Sequence, residues 1–310
     1  MKTDAKMLKQ PSFSKISTQS LGDRTSFVVL MLPFMILFAL FTVVPVLASI
    51  ILSLFDYDMV STPIWSGLDN YLRMFTGDKV FPIVLKNTLV LAVITGPIGY
   101  ALAFILAWCI SEFGPMLRTF LAFLFYAPAL AGNAYLVWSV LFTGDSNGTV
   151  NSLLLSFGLI SDPIIWFKDA AYNFTIIVIV QLWMSMGVSF LANVAGVQNV
   201  SHEMYEAGAI DGIRNRWQEL WYITLPSMKS ILLFSAVMQI QAAFSIGAVI
   251  TILAGYPTVN NSLDTIVTYL TDIGTMRYEF GYAAAISVVL FALMALFRVV
   301  IGSLLNLLGK

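Results

Sequence analysis

Residues 87–111 read NTLVLAVITGPIGYALAFILAWCIS, with no Asp, Glu, Lys, Arg or His among them. A charge at the bilayer centre costs roughly 2.5–3.5 kcal/mol on insertion scales. About 20 apolar residues cross the hydrocarbon as a helix, so this stretch is long enough to be one crossing. Five further stretches share its character: 25–55, 119–144, 170–201, 230–263 and 280–297. They predict about six transmembrane helices, near 27–54, 85–110, 118–142, 173–196, 229–252 and 281–304. The last continues past Arg298, whose long side chain can snorkel to an interface. Residues 150–160 are apolar but too short to cross, and Pro163 follows; they read as an interfacial or buried segment.

Composition agrees. Hydrophobic residues make up 59% of the chain and charged residues 11%, against about 25% charged in soluble domains. The expected fold class is all-α, a polytopic protein in a lipid bilayer. With 16 Lys and Arg against 17 Asp and Glu, no charge excess points to nucleic acid. Cys109 is the single cysteine; it cannot form an internal disulfide, and its apolar setting predicts a small core residue. Residues 1–25 read as a polar tail and 26–310 as the transmembrane domain. The apolar run after the tail is too long for a signal-peptide core and lacks a small-residue cleavage site.

An even number of crossings puts both termini on one side. That side would carry Lys2, Lys6, Lys9, Lys15 and Arg24, then Arg118, Arg214, Arg216, Lys229 and Lys310. The other would carry Arg73, Lys79, Lys86, Lys168 and Arg277. The positive-inside rule makes the first side cytoplasmic.

The connection at about 197–228, between the fourth and fifth spans, is not loop-like. Ser201 is a possible cap, Glu203 and Glu206 suit a helix N-terminus, and Gly212 supplies the left-handed residue on which helices often end. An apolar-aromatic stretch from Trp217 to Ile223 then runs into Leu225-Pro226, and proline can open the next helix. These signals predict a helix–turn–helix elbow on the cytoplasmic face. Small Ala207, Gly208 and Ala209 would permit close approach, and Met204, Tyr205 and Ile210 would offer apolar anchors.

Glu206-Ala207-Gly208, Asp211-Gly212 and Ile223-Thr224-Leu225-Pro226 resemble the EAA loop of binding-protein-dependent ABC importer permeases. There are two departures: Gly208 replaces the second alanine, and one more residue than usual separates Gly212 from Ile223, which bears on the elbow's angle. Gly67-Leu68-Asp69-Asn70-Tyr71 with Phe81 and Asn87-Thr88, and Gly281-Tyr282-Ala283-Ala284-Ala285, are similar to the carbohydrate-uptake branch, the maltose and glycerol-phosphate permeases, and to the first permease of such pairs.

The resemblance implies a transmembrane subunit forming half of a sugar pathway, with a second permease subunit as heterodimer partner, two ATPase subunits and an extracytoplasmic solute-binding protein. Each ATPase would receive one EAA helix in a groove. The coupling set it implies is Glu206, Ala207, Gly208, Asp211, Gly212, Leu225 and Pro226. No G-x-x-x-x-G-K-[ST] phosphate loop occurs in the chain, so ATP hydrolysis is expected in the partner and the chain is not expected to be an enzyme. No cofactor or metal is expected. His202 is expected to be solvated or to take part in docking.

Polar residues at mid-membrane depth are costly and usually functional or paired. Depth counting selects Asn133 and Tyr135 in the third span, Gln181 and Trp183 in the fourth, and Gln239 and Gln241 in the fifth. Amides hydrogen-bond hydroxyl-rich ligands and aromatic faces stack on sugar rings; the same amides commonly bond helix to helix. Pro45, Gly96, Pro97, Pro128 and Gly132 are candidate kinks. The alternatives are an importer permease for another solute such as glycerol phosphate, and a self-contained membrane carrier. A membrane enzyme would need a cluster of catalytic side chains that one His and one Cys do not supply.

Overall fold

A computed structural model describes residues 21–308. The predicted tail, up to residue 20, and Lys310 lie outside the described residues.

The described residues 21–51 form one unit, which ends one residue before the close of its second helix. In it α1 (Leu21–Phe38) passes through a π turn (Ala39–Val43) into α2 (Val44–Leu52). Pro45 has no N–H to donate into the ladder, and the widened turn just before it is a usual response. The window Val28–Leu52 has no buried residue, as expected of a helix apolar on every side.

The second unit begins at residue 52. A short antiparallel pair, β1 (Phe55–Asp56) and β2 (Ile64–Trp65), holds the only strands among the described residues. Next come α3 (Asp69–Leu72), α4 (Phe81–Ser111), α5 (Pro115–Leu130), α6 (Leu136–Leu141) and α7 (Thr149–Ser156). The fourth region holds α8 (Asn173–Met184) and α9 (Val188–Gln198), followed by α10 (His202–Ile210), α11 (Arg216–Glu219) and α12 (Leu225–Ser227). The chain ends with α13 (Lys229–Phe244), α14 (Gly247–Leu253), α15 (Ile266–Thr271) and α16 (Phe280–Leu308).

The architecture is an all-α, multi-pass membrane protein. All six predicted regions are helical, but not alike. Val28–Leu52, Phe81–Ser111, Lys229–Leu253 and Phe280–Leu304 are each long and apolar enough to cross, and α8 with α9, bent by 46° at their break, are long and apolar enough as a pair. The third region is α5, of 16 residues, broken before α6. Gly132 has φ +61° at that break, close to Pro128, where the sequence marked a kink. Pro97, also marked, lies inside an unbroken α4. The segment after 149 forms only the eight residues of α7, too few to cross. Cys109, predicted as a core residue, is exposed: the buried face of α4 there carries Ala103, Ala107 and Ile110, and residue 109 points away from it.

Helix α4 is the centre of the packing, in contact with α8, α9, α13 and α15. The largest core cluster joins α4, α13, α15 and α16 through Phe81, Val84, Phe244, Ile266, Tyr269 and Ile286. Polar caps fasten the same helices. Thr88 Oγ1 accepts from Ile266 N at 2.9 Å, satisfying a free donor at the start of α15, and Asn87 Nδ2 donates to the carbonyls of Asn261 and Asp264.

Asp78 fastens the same helices with four hydrogen bonds. Its Oδ1 accepts from Val80 N and Phe81 N, where α4 begins. Its Oδ2 accepts from the hydroxyls of Tyr269 in α15 and Tyr282 in α16, both at 2.5 Å. Burial pushes this carboxyl upward, but the donations from the two phenols and the two N–H groups outweigh it and hold its pKa below the usual value. A depressed folded-state pKa adds stability above the unfolded value, near 4 for Asp. That stability is lost as pH falls through the folded value. Asp78→Asn is therefore expected to lower the melting temperature at neutral pH and to lessen the loss of stability on the acid side. Thermal scans in detergent across the acid range check this, and identical acid profiles for the two proteins would contradict it.

Candidate coupling elbow and broken-helix layer

Residues 199–228 fold into the predicted elbow. Ser201 stands at the N-cap of α10 in extended backbone but makes no side-chain cap bond. The other end closes as the sequence predicts. Gly212 has φ +94°, Ile213 N donates to Gly208 O at 2.9 Å, and Gly212 N donates to Ala209 O at 3.4 Å, the pair of bonds of a Schellman ending. Asn215 caps α11 by accepting from Gln218 N at 2.9 Å, and Gln218 Oε1 returns to Arg214 N.

The two arms lock together at Gly208. A Cβ there would lie 2.6 Å from Ile223 Cδ1 and 3.0 Å from Ile213 Cδ1, so Gly208 is buried under both isoleucines. The Tyr205 hydroxyl and Thr224 Oγ1 share a further hydrogen bond at 2.9 Å. Tyr205 and Gly208 thus face the second arm. Glu206, Ala207, Asp211, Gly212 and Pro226 are exposed and Leu225 is half-buried. His202 Nδ1 and Glu206 Oε1 stand 3.0 Å apart on the open surface, and Ile210 is 86% exposed. Helix α10 therefore offers an outer face of Met204, Glu206, Ala207 and Ile210.

Leu220–Thr224 is a π turn closed by Leu225 N on Leu220 O. A π turn winds one more residue than an α turn, and Ile223 within it reaches Gly208.

Three successive apolar regions lose regular helix: at 131–135 between α5 and α6, at 185–187 between α8 and α9, and at Ser245 and Ile246 between α13 and α14. They lie near one level, since Gly187 faces Ala129 and Gln181 Nε2 donates to Ala242 O at 2.8 Å. Irregular backbone inside a membrane is tolerated where it is buried in protein or lines a cavity. The six polar candidates divide around this layer. Gln181 and Gln239 turn inward between helices, with Ser189 Oγ donating to Gln239 Oε1 at 3.2 Å. Below them Asn193 Nδ2 donates to Ser235 Oγ and Ser235 Oγ to Ser189 O, a ladder of α9 on α13. Tyr135 is buried and donates to Asn133 Oδ1 at 2.9 Å. Trp183 is half-buried against Trp138. Asn133 and Gln241 are exposed, as is Ser245, which depth counting did not select.

Gln181→Leu is expected to destabilise the chain by about 0.6 kcal/mol, at most about 1.7, the range for interhelical bonds in membranes. Melting temperature and transport should fall in step; normal stability with transport lost would make Gln181 a ligand instead.

Among the described residues no group of three or more His, Cys, Asp or Glu is placed to hold a metal ion.

A six-region helical chain with an elbow before its penultimate crossing matches the model of the binding-protein-dependent transport system inner membrane component over residues 97–309. The chain belongs to this family. It is 31% identical over 87% of its length to the probable ABC transporter permease protein YesP of Bacillus subtilis, covering 86% of that protein. It is 29% identical over 85% of its length to the lactose transport system permease protein LacF of Rhizobium radiobacter, covering 88% of it. Its fold matches a chain of a bacterial ABC transporter involved in the import of the acidic polysaccharide alginate, with a TM-score of 0.75, 23% identity and coverage of 93% of this chain and 97% of that one. The chain is a permease subunit of an ABC importer, a transport component in a membrane. Family membership covers the elbow and every broken span, whereas Asp78 and the hairpin of β1 and β2 lie ahead of the matched region.

Proposed function

We propose that the chain forms half of the translocation pathway of an ATP-driven importer for a sugar or oligosaccharide. Its termini and elbow face the cytoplasm, and it works with a second permease, two ATPase subunits and a solute-binding protein. The carrying observation is the elbow, an exposed α10 locked at Gly208 to an arm that runs into α13. Docking of Met204, Ala207 and Ile210 in an ATPase groove, with Glu206 and Asp211 available to basic groups, would turn closure of the ATPases into motion of α9 and α13. Coupling requires that these contacts differ between the two states.

The sugar reading rests on the relatives: one bears lactose in its name, and the structural neighbour imports alginate. Hydroxyl-rich solutes suit the exposed Asn133, Gln241 and Ser245 near the broken layer, since discontinuous helices commonly carry the binding site of transporters. Proteoliposomes containing the chain, second permease, ATPases and binding protein are expected to take up a radiolabelled oligosaccharide when ATP is supplied. The chain alone is expected to take up none. Uptake by the isolated chain would establish the self-contained carrier instead.

A further inference from the structure

We propose that Arg216 and Trp217 fasten the elbow to the inner end of α4, so that α4 is a second lever driven by the elbow, beside the α9 and α13 to which it is covalently joined. The inference rests on the ATPase-docking reading of α10. Arg216 Nη2 meets Glu112 Oε2 at 2.7 Å, and Nη1 meets Glu219 Oε2 at 2.7 Å. One planar fork thus holds a carboxylate of the elbow and a carboxylate at the end of α4, a geometry that lysine cannot reproduce. Glu112 is the C-cap residue of α4, where the helix dipole disfavours an anion. The cation beside it reverses that penalty.

Exposed ion pairs are worth little by themselves, and this arginine side chain is 62% exposed. Aromatic and apolar contacts reinforce the joint. Trp217 lies 5.3 Å from Trp108 of α4, ring centroid to centroid, and Leu220 is buried in one cluster with Phe104 of α4 and Met228. The link therefore joins α4 to the second arm, which Gly208 and Tyr205 in turn lock to α10.

What α4 would transmit follows from its continuity. The third, fourth and fifth regions are each broken near mid-membrane, whereas α4 runs 31 residues without a break. At 1.5 Å per residue it is a rod of about 46 Å. Its outer end is held to α15 and α16 by Asp78. A push at Glu112 is thereby delivered to the outer ends of α15 and α16.

The test uses the complete transporter in nanodiscs, in a Cys109→Ser background, with spin labels at Pro82→Cys, by the outer end of α4, and Leu159→Cys, beyond α7. Trapping the ATPases with ATP and vanadate is expected to shift the distance between the labels. Glu112→Arg and Trp217→Ala are expected to lose most of that shift while still co-purifying with the ATPase and hydrolysing ATP. Arg216→Lys should lose part of it, a milder variant should the others fail to assemble. The double variant E112R/R216E, which restores the pair with its signs exchanged, should regain shift relative to Glu112→Arg and to Arg216→Glu. Loss of the Arg216–Glu219 contact is common to both forms with glutamate at 216 and drops out of the cycle. A full shift in Glu112→Arg and Trp217→Ala, or none in the parent complex, overturns the proposal. The docking reading is judged separately: if Ala207→Glu on α10 binds the ATPase as tightly as the parent, that reading falls whatever α4 does.

Discussion

Replacing Gly208 with leucine is expected to abolish coupled ATP hydrolysis and transport, while Gly208→Ala stays near the parent protein. The two atoms that a Cβ would meet, Ile223 Cδ1 and Ile213 Cδ1, are the ends of flexible side chains. A methyl group is accommodated by small rotations of both, and alanine in place of glycine favours a helix by up to about 1 kcal/mol. Alanine is also the residue of the E-A-A pattern at this position. Leucine adds three further carbons in the space that Ile223 fills, and overpacking of this kind costs about 1–3 kcal/mol. That cost falls on the joint between the arms and not on the spans, so the variant should still insert in the membrane at parental levels. Co-purification with the ATPase, ATP hydrolysis by the assembled complex and uptake into proteoliposomes measure the effect. Normal uptake by Gly208→Leu would show that the arms need not lock for coupling.

Hydropathy carried the membrane architecture because it is a sum over many residues, and one substitution does not move it. Stretches without charge located the six long apolar regions, all of them helical, and Gly212, whose backbone must enter the left-handed region, marked the end of α10. Features that depend on one residue meeting another were not legible. Ser185-Met186-Gly187 and Ser245-Ile246-Gly247 lie inside apolar runs, so no composition window sees the breaks there. What marks them is tertiary: a Cβ on Gly247 would sit 2.6 Å from Val267 Cγ1, and one on Gly187 3.3 Å from Ala129. Proline was an uneven guide: Pro45 and Pro128 stand beside irregular turns, but α4 continues through Pro97 and the break between α8 and α9 contains none.

The pairing of buried polar groups was equally hidden. Gln181, Ser189, Asn193, Ser235 and Gln239 are ordinary residues of two apolar stretches until α8 and α9 are rotated against α13. Asp78 reaches partners 191 and 204 residues away in the chain. Glu112 stands between two apolar stretches with nothing in the sequence to mark it, and only its position 2.7 Å from Arg216 gives it a role. In the elbow the motif located the parts but assigned Gly208 to docking, whereas its burial under Ile223 makes it the joint between the arms. The π turn at Leu220–Thr224 was likewise unmarked by the motif.

The severest single substitution outside the elbow is expected to be Gly281→Ala. Gly281 begins α16 where the hairpin of β1 and β2 crosses it: its N–H donates to Tyr57 O at 3.1 Å, and a Cβ would lie 2.0 Å from Phe55 O and 3.0 Å from Phe55 C. Unlike the isoleucine tips around Gly208, this obstacle is main chain. The Phe55 carbonyl has no freedom to retreat, because Asn70 Nδ2 donates to it and to Ser53 O, both at 2.9 Å, and Phe55 pairs with Trp65 in the hairpin. Even a methyl group must therefore part the hairpin from α16, breaking the Tyr57 bond and loosening the Tyr57–Phe280 ring contact. The cost should exceed the ~1–3 kcal/mol typical of overpacked cores, where side chains can move aside. Gly302→Ala in the same helix is the matched control, since nothing lies within 4 Å of its added methyl group. Gly302→Ala is expected to melt at or slightly above the parent temperature. Gly281→Ala should melt far lower or fail to accumulate in the membrane. Thermal melting of both in detergent decides it: equal melting temperatures would mean that the hairpin does not bear on α16 through this glycine.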